Sequence, residues 1–291
     1  MNRQLHSLGL RSRCLLAAVL LALAACGDGA SSPTIPNGAF PVVANADLAV
    51  GSQRVLVGLV TPDATAHGSP DLPVELDIFP RDQPQAGFAV EGIFMWTVPD
   101  VRGLYRAQVT FDRPGVWMVS VHSGDDPPTE TIPFSVAEES LTPAVGEPAP
   151  SVATATGTGA SLADISTDPE PDPRFYETSL DKALASGSPT VVVFATPAFC
   201  ETATCGPMLD NVKSLAPDYL DMNFVHVEIY QNLDAQPPDQ LQVADAVLAW
   251  GLPSEPWAFV VDRGGIVTAK FEGSVDADEL TDALESVTSR S

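Results

Sequence analysis

The chain of 291 residues is poor in basic side chains, in cysteine and in long apolar runs, and each scarcity closes off a class of function. Fourteen Lys and Arg stand against 38 Asp and Glu, a formal net charge of −24. A surface of that sign repels phosphate backbones and anionic head groups, which argues against nucleic-acid binding. The apolar run near the start, Cys14 to Ala25, is twelve residues long. A membrane-spanning helix needs about 20, so the run does not span a bilayer. It follows Arg3, Arg11 and Arg13, and a basic stretch before a short apolar one is the order of a secretory signal. Cysteine occurs only at 14, 26, 200 and 205. Soft metal ligands are thin too: His67, His122, Met95 and Met118 are scattered rather than clustered, whereas a copper site gathers several in one place. The methionines are expected in a core, the histidines at the surface or in turns.

The apolar run ends in Leu23-Ala24-Ala25-Cys26, which resembles the lipobox of bacterial lipoproteins. That resemblance implies a signal peptide over 1–25, cleavage before Cys26, a lipid on Cys26, and a chain anchored to a membrane outside the cytoplasm. The polar residues 26–39 suit a flexible tether. Loss of the signal removes three arginines and no acid, leaving 38 acidic against 11 basic side chains. With Cys14 removed and Cys26 lipidated, Cys200 and Cys205 are left as a pair in a compartment where disulfides persist.

Residues 40–138 read as short strands, among them "RVLVGLV", "PVELDIF", "GIFMWTV", "LYRAQVTF" and "VWMVSVHS", separated by Pro, Gly and Asp turns. In "LYRAQVTF" Tyr105, Ala107, Val109 and Phe111 alternate with Leu104, Arg106, Gln108 and Thr110, as in a half-buried antiparallel strand. Strands at this spacing favour an all-β sandwich. The stretch "GLYRAQVTFDRPGVWMVSV" is similar to the Ig-like modules of bacterial surface proteins. Residues 139–173, rich in Pro, Ala, Thr and acid, have a linker composition. Within them "GEPAP" (146–150) resembles the opening of redoxin-type domains, a place for ordered structure to resume.

From 174 to 291 the pattern changes. "YETSLDKALASG" reads as a helix capped by Thr178 or Ser179, and "PTVVVFATP" as a strand covered on both faces. A helix over about 205–216 follows, then the strand "NFVHVEIY", the helix "DQLQVADAVLAWG", the hairpin "PWAFVVD"–"IVTAKFEG" and the capped helix "DADELTDALESVTS". The order α-β-α-β-α-β-β-α resembles the thioredoxin fold, an α/β architecture with a central mixed sheet flanked by helices. Two domains are therefore expected, an Ig-like sandwich followed by a thioredoxin-like domain.

That resemblance locates the chemistry. In thioredoxin-like proteins the reactive cysteine sits where the first buried strand turns into a helix, whose free N–H groups and dipole favour a thiolate. Cys205-Gly206-Pro207-Met208 resembles the thioredoxin C-G-P-C with methionine replacing the second cysteine, so a CxxC mechanism is ruled out. Cys200 offers the missing thiol. Within one helix the two would lie about 7.5 Å apart along the axis and roughly 140° around it. A disulfide requires Cα atoms within about 7 Å and converging Cβ vectors, so Cys200 belongs to a loop folded over the helix start. The "CGPM" match points to Cys205 as attacking thiolate and Cys200 as its resolving partner; the strand length points to the reverse. The resemblance also implies a cis-proline opposite the cysteines, assigned to Pro256 over Pro253, with Glu255, Trp257, Gly206 and Pro207 around a substrate groove. An acid at 255 would raise the cysteines' pKa and discourage acidic substrates.

The leading expectation is a thiol–disulfide oxidoreductase with no cofactor and no metal, acting on protein dithiols or disulfides with an unidentified thiol electron partner. Three alternatives compete. One is a non-catalytic surface lipoprotein with a structural disulfide. Another is a copper-chaperone-like protein, in which His226 would join the two cysteines. The third is a peroxiredoxin-like protein, in which Pro197, Thr202 and Cys205 approximate P-x3-T-x2-C with one residue too many.

Overall fold

A computed structural model describes residues 33–235 and 240–289. The signal 1–25, the lipid anchor Cys26 and most of the tether lie outside the described residues. The described residues form one compact unit, mostly β, in which a nearly closed sheet is joined to a smaller mixed α/β region.

The β region runs β1 (Phe40–Val43), β2 (Gly51–Val60), β3 (Ala66–His67), β4 (Val74–Pro80), β5 (Phe88–Val98), β6 (Arg102–Phe111), β7 (Gly115–His122) and β8 (Ile132–Val136). The order β1-β2-β6-β5-β4-β7-β8 is continuous, with β3 added to β2, and β1 lies against β7 and β8. The expected pair of separate sheets is thus one sheet that wraps on itself. The reason lies in β5. Its residues 88–92 pair with β4 and its residues 93–98 with β6. At the changeover, Gly92 sits where a Cβ would come 2.6 Å from Val74 and 3.2 Å from Tyr105, so only glycine lets the strand pass. Both end strands carry a proline, Pro41 and Pro133, at the edges where a missing ladder N–H is tolerated.

The alternation expected in "LYRAQVTF" is present: Tyr105, Ala107, Val109 and Phe111 are buried with Val55, Val57, Leu76, Ile78, Trp117 and Val119. Phe111 meets Trp117 edge-on at 4.9 Å between ring centroids. Met118 is half-buried, and Met95 is buried outside this core, its sulfur 3.1 Å from the Arg54 guanidinium.

The α/β region contains α1 (Leu162–Ile165), α2 (Leu180–Ala185), β9 (Thr190–Phe194), α3 (Cys205–Leu215), β10 (Asn223–Val227), α4 (Asp245–Ala249), β11 (Trp257–Val261), β12 (Val267–Glu272) and α5 (Ala277–Thr288). The sheet order is β10-β9-β11-β12, with β10 parallel to β9 and the other pairs antiparallel. Period-two alternation sends Val191 and Val193 to one face with α3 and α5, and Val192 and Phe194 to the other with α2, α4 and Trp250. A fully buried β9 explains its unbroken apolar run. The helix expected over "DQLQVADAVLAWG" is confined to Asp245–Ala249, because Gln242 and Val243 pair with Gln231 and Tyr230.

Residues 139–173, linker-like in composition, are bound to the rest of the unit. Gly146, Glu147 and Ala149 exchange backbone bonds with Val267 and Gly265, extending the sheet past β12. Leu141 and Thr142 donate to the Asp47 carboxylate, and Trp250 Nε1 donates to Pro150 O. Ile35 and Ala39, within the stretch read as tether, also pack into the β region.

The two regions meet along a charged seam. Arg54 of β2 forms a two-pronged pair with Glu279 of α5, at 2.8 and 2.6 Å, and Arg106 of β6 reaches Asp276 at 3.2 Å. Glu272 accepts from the Ala46 amide at 2.6 Å and Asn45 Nδ2 at 3.2 Å. Burial holds the Glu272 carboxyl above the usual range.

Candidate functional site

The chain leaves β9 at Phe194 and enters α3 at Cys205, and the intervening loop folds back so that Cys200 and Cys205 form a disulfide with Cα atoms 6.0 Å apart. Ala203 sustains this fold in the left-handed region, φ 62°, which an L-residue with a side chain rarely adopts. Thr204 precedes the helix without a side-chain cap. The cap is sulfur instead: the Cys205 amide, at the helix start, donates to Cys200 Sγ at 3.2 Å. Thr202 Oγ1 lies 3.4 Å from the same sulfur and 2.8 Å from Thr204 Oγ1.

The two sulfurs have opposite surroundings. Cys205 is fully buried in the apolar layer with Met208, Leu209 and Val193, whereas Cys200 is half-buried at the surface. Of the two orders the sequence leaves open, this difference in exposure favours the one suggested by the strand length: access and the amide at the helix start are both on the side of Cys200. The thioredoxin-like letters at 205–208 mark the helix start, but the loop lifts the earlier cysteine over it.

The Glu255–Pro256 bond is cis, at the position assigned to the cis-proline. Glu255 is close to the cysteine loop: burial, then the Glu201 carboxylate beside it, raises its pKa. Tyr230 shares this neighbourhood, its pKa raised by burial and by Glu255 and Glu201, and packs edge-on against Phe199 at 5.9 Å. Gly206 and Pro207 are half-buried in the first turn of α3. Trp257 does not line a groove at the cysteines. It is 1% exposed, belongs to the opposite layer of the sheet, stacks on Phe259 and donates Nε1 to Ser254.

A buried polar network that sequence reasoning missed lies beneath the loop. His226 is buried, with Nδ1 2.6 Å from the Tyr176 hydroxyl and Nε2 3.1 Å from Ala195 O. A carbonyl only accepts, so Nε2 carries the proton and Nδ1 accepts from Tyr176. Burial drives the His226 pKa down to about 4 and the Tyr176 pKa well up. Glu228 accepts from Thr167, and burial raises its pKa, with the buried Thr196 hydroxyl beside it. Lys213 of α3 holds the buried Asp168 at 2.7 Å. The sign of this network in the sequence was faint, a His and a Glu on alternate positions of an otherwise apolar strand.

Among the described residues no group of three or more His, Cys, Asp or Glu is arranged to hold a metal ion. His226 spends both nitrogens on Tyr176 and Ala195. Among the described residues no helix is long and apolar enough to cross a membrane.

No protein-family model matches the chain, and no curated protein does. Solved structures with a likeness to it include a protein from Chlorobium tepidum assigned as the thiol:disulfide interchange protein DsbE. The two are 19% identical, over 50% of this chain and 99% of that one, with a TM-score of 0.36. DsbF of MTB, in mixed oxidised and reduced forms, is 23% identical over 35% of this chain and 81% of its own, with a TM-score of 0.28. A fibronectin type-III domain of the human fibronectin type III domain containing protein 3 is 14% identical over 38% and 94%, with a TM-score of 0.24.

Proposed function

We propose that the protein is an extracytoplasmic thiol–disulfide oxidoreductase, with an Ig-like β region (40–138) ahead of a thioredoxin-like redox region (174–291) and a lipid anchor on Cys26. One observation carries the redox reading: a disulfide at a helix start whose outer sulfur is half-buried and amide-bonded and whose inner sulfur is sealed in the core. In the reduced protein, the Cys200 thiolate attacks a substrate disulfide, forms a mixed disulfide and expels one substrate thiolate. Cys205 then loses its proton and attacks Cys200 Sγ, closing the Cys200–Cys205 bond and expelling the second thiolate. The protein gives up two electrons and the substrate takes two; protonation from solvent balances the released thiolates. With an oxidising partner the same steps run backwards, and a dithiol or disulfide protein resets the pair.

The Glu201 carboxylate next to Cys200 in the chain, with Glu255 near it, favours substrates whose disulfide is flanked by neutral or basic residues. The anchor and location are supported by the lipobox-like Leu23-Ala24-Ala25-Cys26.

A structural staple is the competing reading, favoured by the complete burial of Cys205. Equilibration with glutathione buffers separates them. An exchange pair equilibrates above about −300 mV and turns over a test disulfide, whereas a staple lies below that value and turns over none.

A further inference from the structure

The cysteine loop is not held by the α/β region alone. Arg102, the first residue of β6, sends its guanidinium across to Thr202 O at 2.5 Å. Thr202 is the residue whose hydroxyl stands against Cys200 Sγ. The backbone that carries this arginine is held by its turn. The β5–β6 turn is closed by Val101 N to Val98 O at 3.1 Å and by Thr97 Oγ1 to Arg102 O at 3.0 Å, with Asp100 in the left-handed region. Next to it, Gly103 lies so close beneath Phe94 that a Cβ would meet the ring at 2.2 Å. Independently, β5 packs against α3, the helix that carries Cys205.

We propose that Arg102 is a positioning residue of the exchange site, supplied by the β region: its guanidinium fixes the Thr202 carbonyl and brings a positive charge to the side of Cys200. The inference rests on the exchange reading of the Cys200–Cys205 pair. The charges around the loop have mixed signs. Glu201 follows Cys200 in the chain, and Glu255 and Tyr230 lie near Glu201, so the carboxylates oppose a thiolate, while Arg102, bound to the Thr202 carbonyl, and the Cys205 amide support it. A site carrying two carboxylates thus regains a stabilised thiolate by borrowing a cation from the other region. The β region thereby sets the reactivity of the sulfur as well as its distance from the membrane.

The test compares reduced full-length wild type, Arg102→Ala and Arg102→Lys by the pH dependence of Cys200 alkylation with iodoacetamide, located by mass spectrometry, at low and at high salt. An exposed charge supports a change of about threefold to fivefold. Arg102→Ala is expected to slow alkylation of Cys200 by that factor below the thiolate midpoint and to move the midpoint upward. Arg102→Lys restores most of the rate, and the gap closes in about 1 M salt. Superimposable profiles for the three proteins overturn the proposal, as does a loss that lysine does not recover and salt does not reduce. Exchange with a test disulfide, measured on the same samples, separates the two levels. Normal exchange with an unmoved profile defeats Arg102 alone, whereas a wild type that exchanges with no disulfide defeats the redox reading and Arg102's role together.

Discussion

The two regions handle charge in opposite ways. The β region has an apolar core built on Trp117, Phe111 and Phe134, and it buries Asp47 and half-buries Arg54 and Arg106 where it meets its neighbour. The α/β region buries His226, Glu228 and Asp168 directly beneath the cysteine loop. Burying ionisable groups costs stability unless they are paired, and here each has a partner: Asp168 holds Lys213, Glu228 accepts from Thr167, and His226 bonds Tyr176 and Ala195. The β region is then a scaffold whose contribution to the site comes through its edge, at Arg102.

The sharpest separation of the regions is expected from the cysteines. Cys200→Ser or Cys205→Ser abolishes net exchange with a test disulfide, while Trp117→Ala leaves the glutathione equilibrium within about twofold. Trp117→Ala instead costs about 3–5 kcal/mol in urea unfolding, as for a large buried aromatic. A Trp117 variant that loses stability and redox poise together would break the division of labour. At the seam, Glu279→Ala leaves the Arg54 guanidinium, 12% exposed, without its carboxylate and is expected to cost about 2–4 kcal/mol. A much smaller loss would show that the Arg54–Glu279 pair does not hold the seam.

Protons should sense the difference too. His226 titrates at about 4 in the folded chain, below the 6.5 of an exposed histidine. The unfolded chain therefore binds a proton first, and stability is lost as pH falls from about 6.5 towards 4, by up to about 3 kcal/mol. Glu228 and Glu272, with raised pKa values, act the other way: their protonated forms favour the fold, so stability declines as pH rises from about 4.5 through their folded values. His226→Asn flattens the first slope and leaves the second, which urea midpoints against pH would show. The smallest effect is local. Ala203→Gly removes the left-handed penalty and, net of glycine's entropy, stabilises by less than about 1 kcal/mol.

Much of the fold was legible because local patterns and burial agree. The alternation at 104–111 is the observed β6 face, "VVVF" is β9 covered on both sides, and Asp276 caps α5 by accepting from the Glu279 amide. The element order α-β-α-β-α-β-β-α, the Cys200–Cys205 pairing and the cis bond before Pro256 also match the reading of the letters. Illegible were features set by distant partners. The short helix at 245–249 lost its first half to pairing with Tyr230 and Gln231, and the Pro/Ala-rich 139–173 is ordered by bonds to β12 and Asp47. Arg54, Arg106 and Arg102 look like ordinary outward-facing strand residues, since no local rule says that a second region will cover that face. The order of the two sulfurs was left open by the letters for a related reason. "CGPM" locates the helix start, but exposure is decided by how the five-residue loop folds back over it.

The central claim is that Cys200 attacks and Cys205 resolves, and trapping tests it most directly. Reduced Cys205→Ser protein, mixed with a disulfide-bonded reporter peptide, is expected to accumulate a stable mixed disulfide through Cys200. Cys200→Ser protein, whose remaining sulfur is sealed in the core, should trap at least about tenfold less in the same time. Equal trapping by both variants, or trapping by Cys200→Ser alone, would contradict the account.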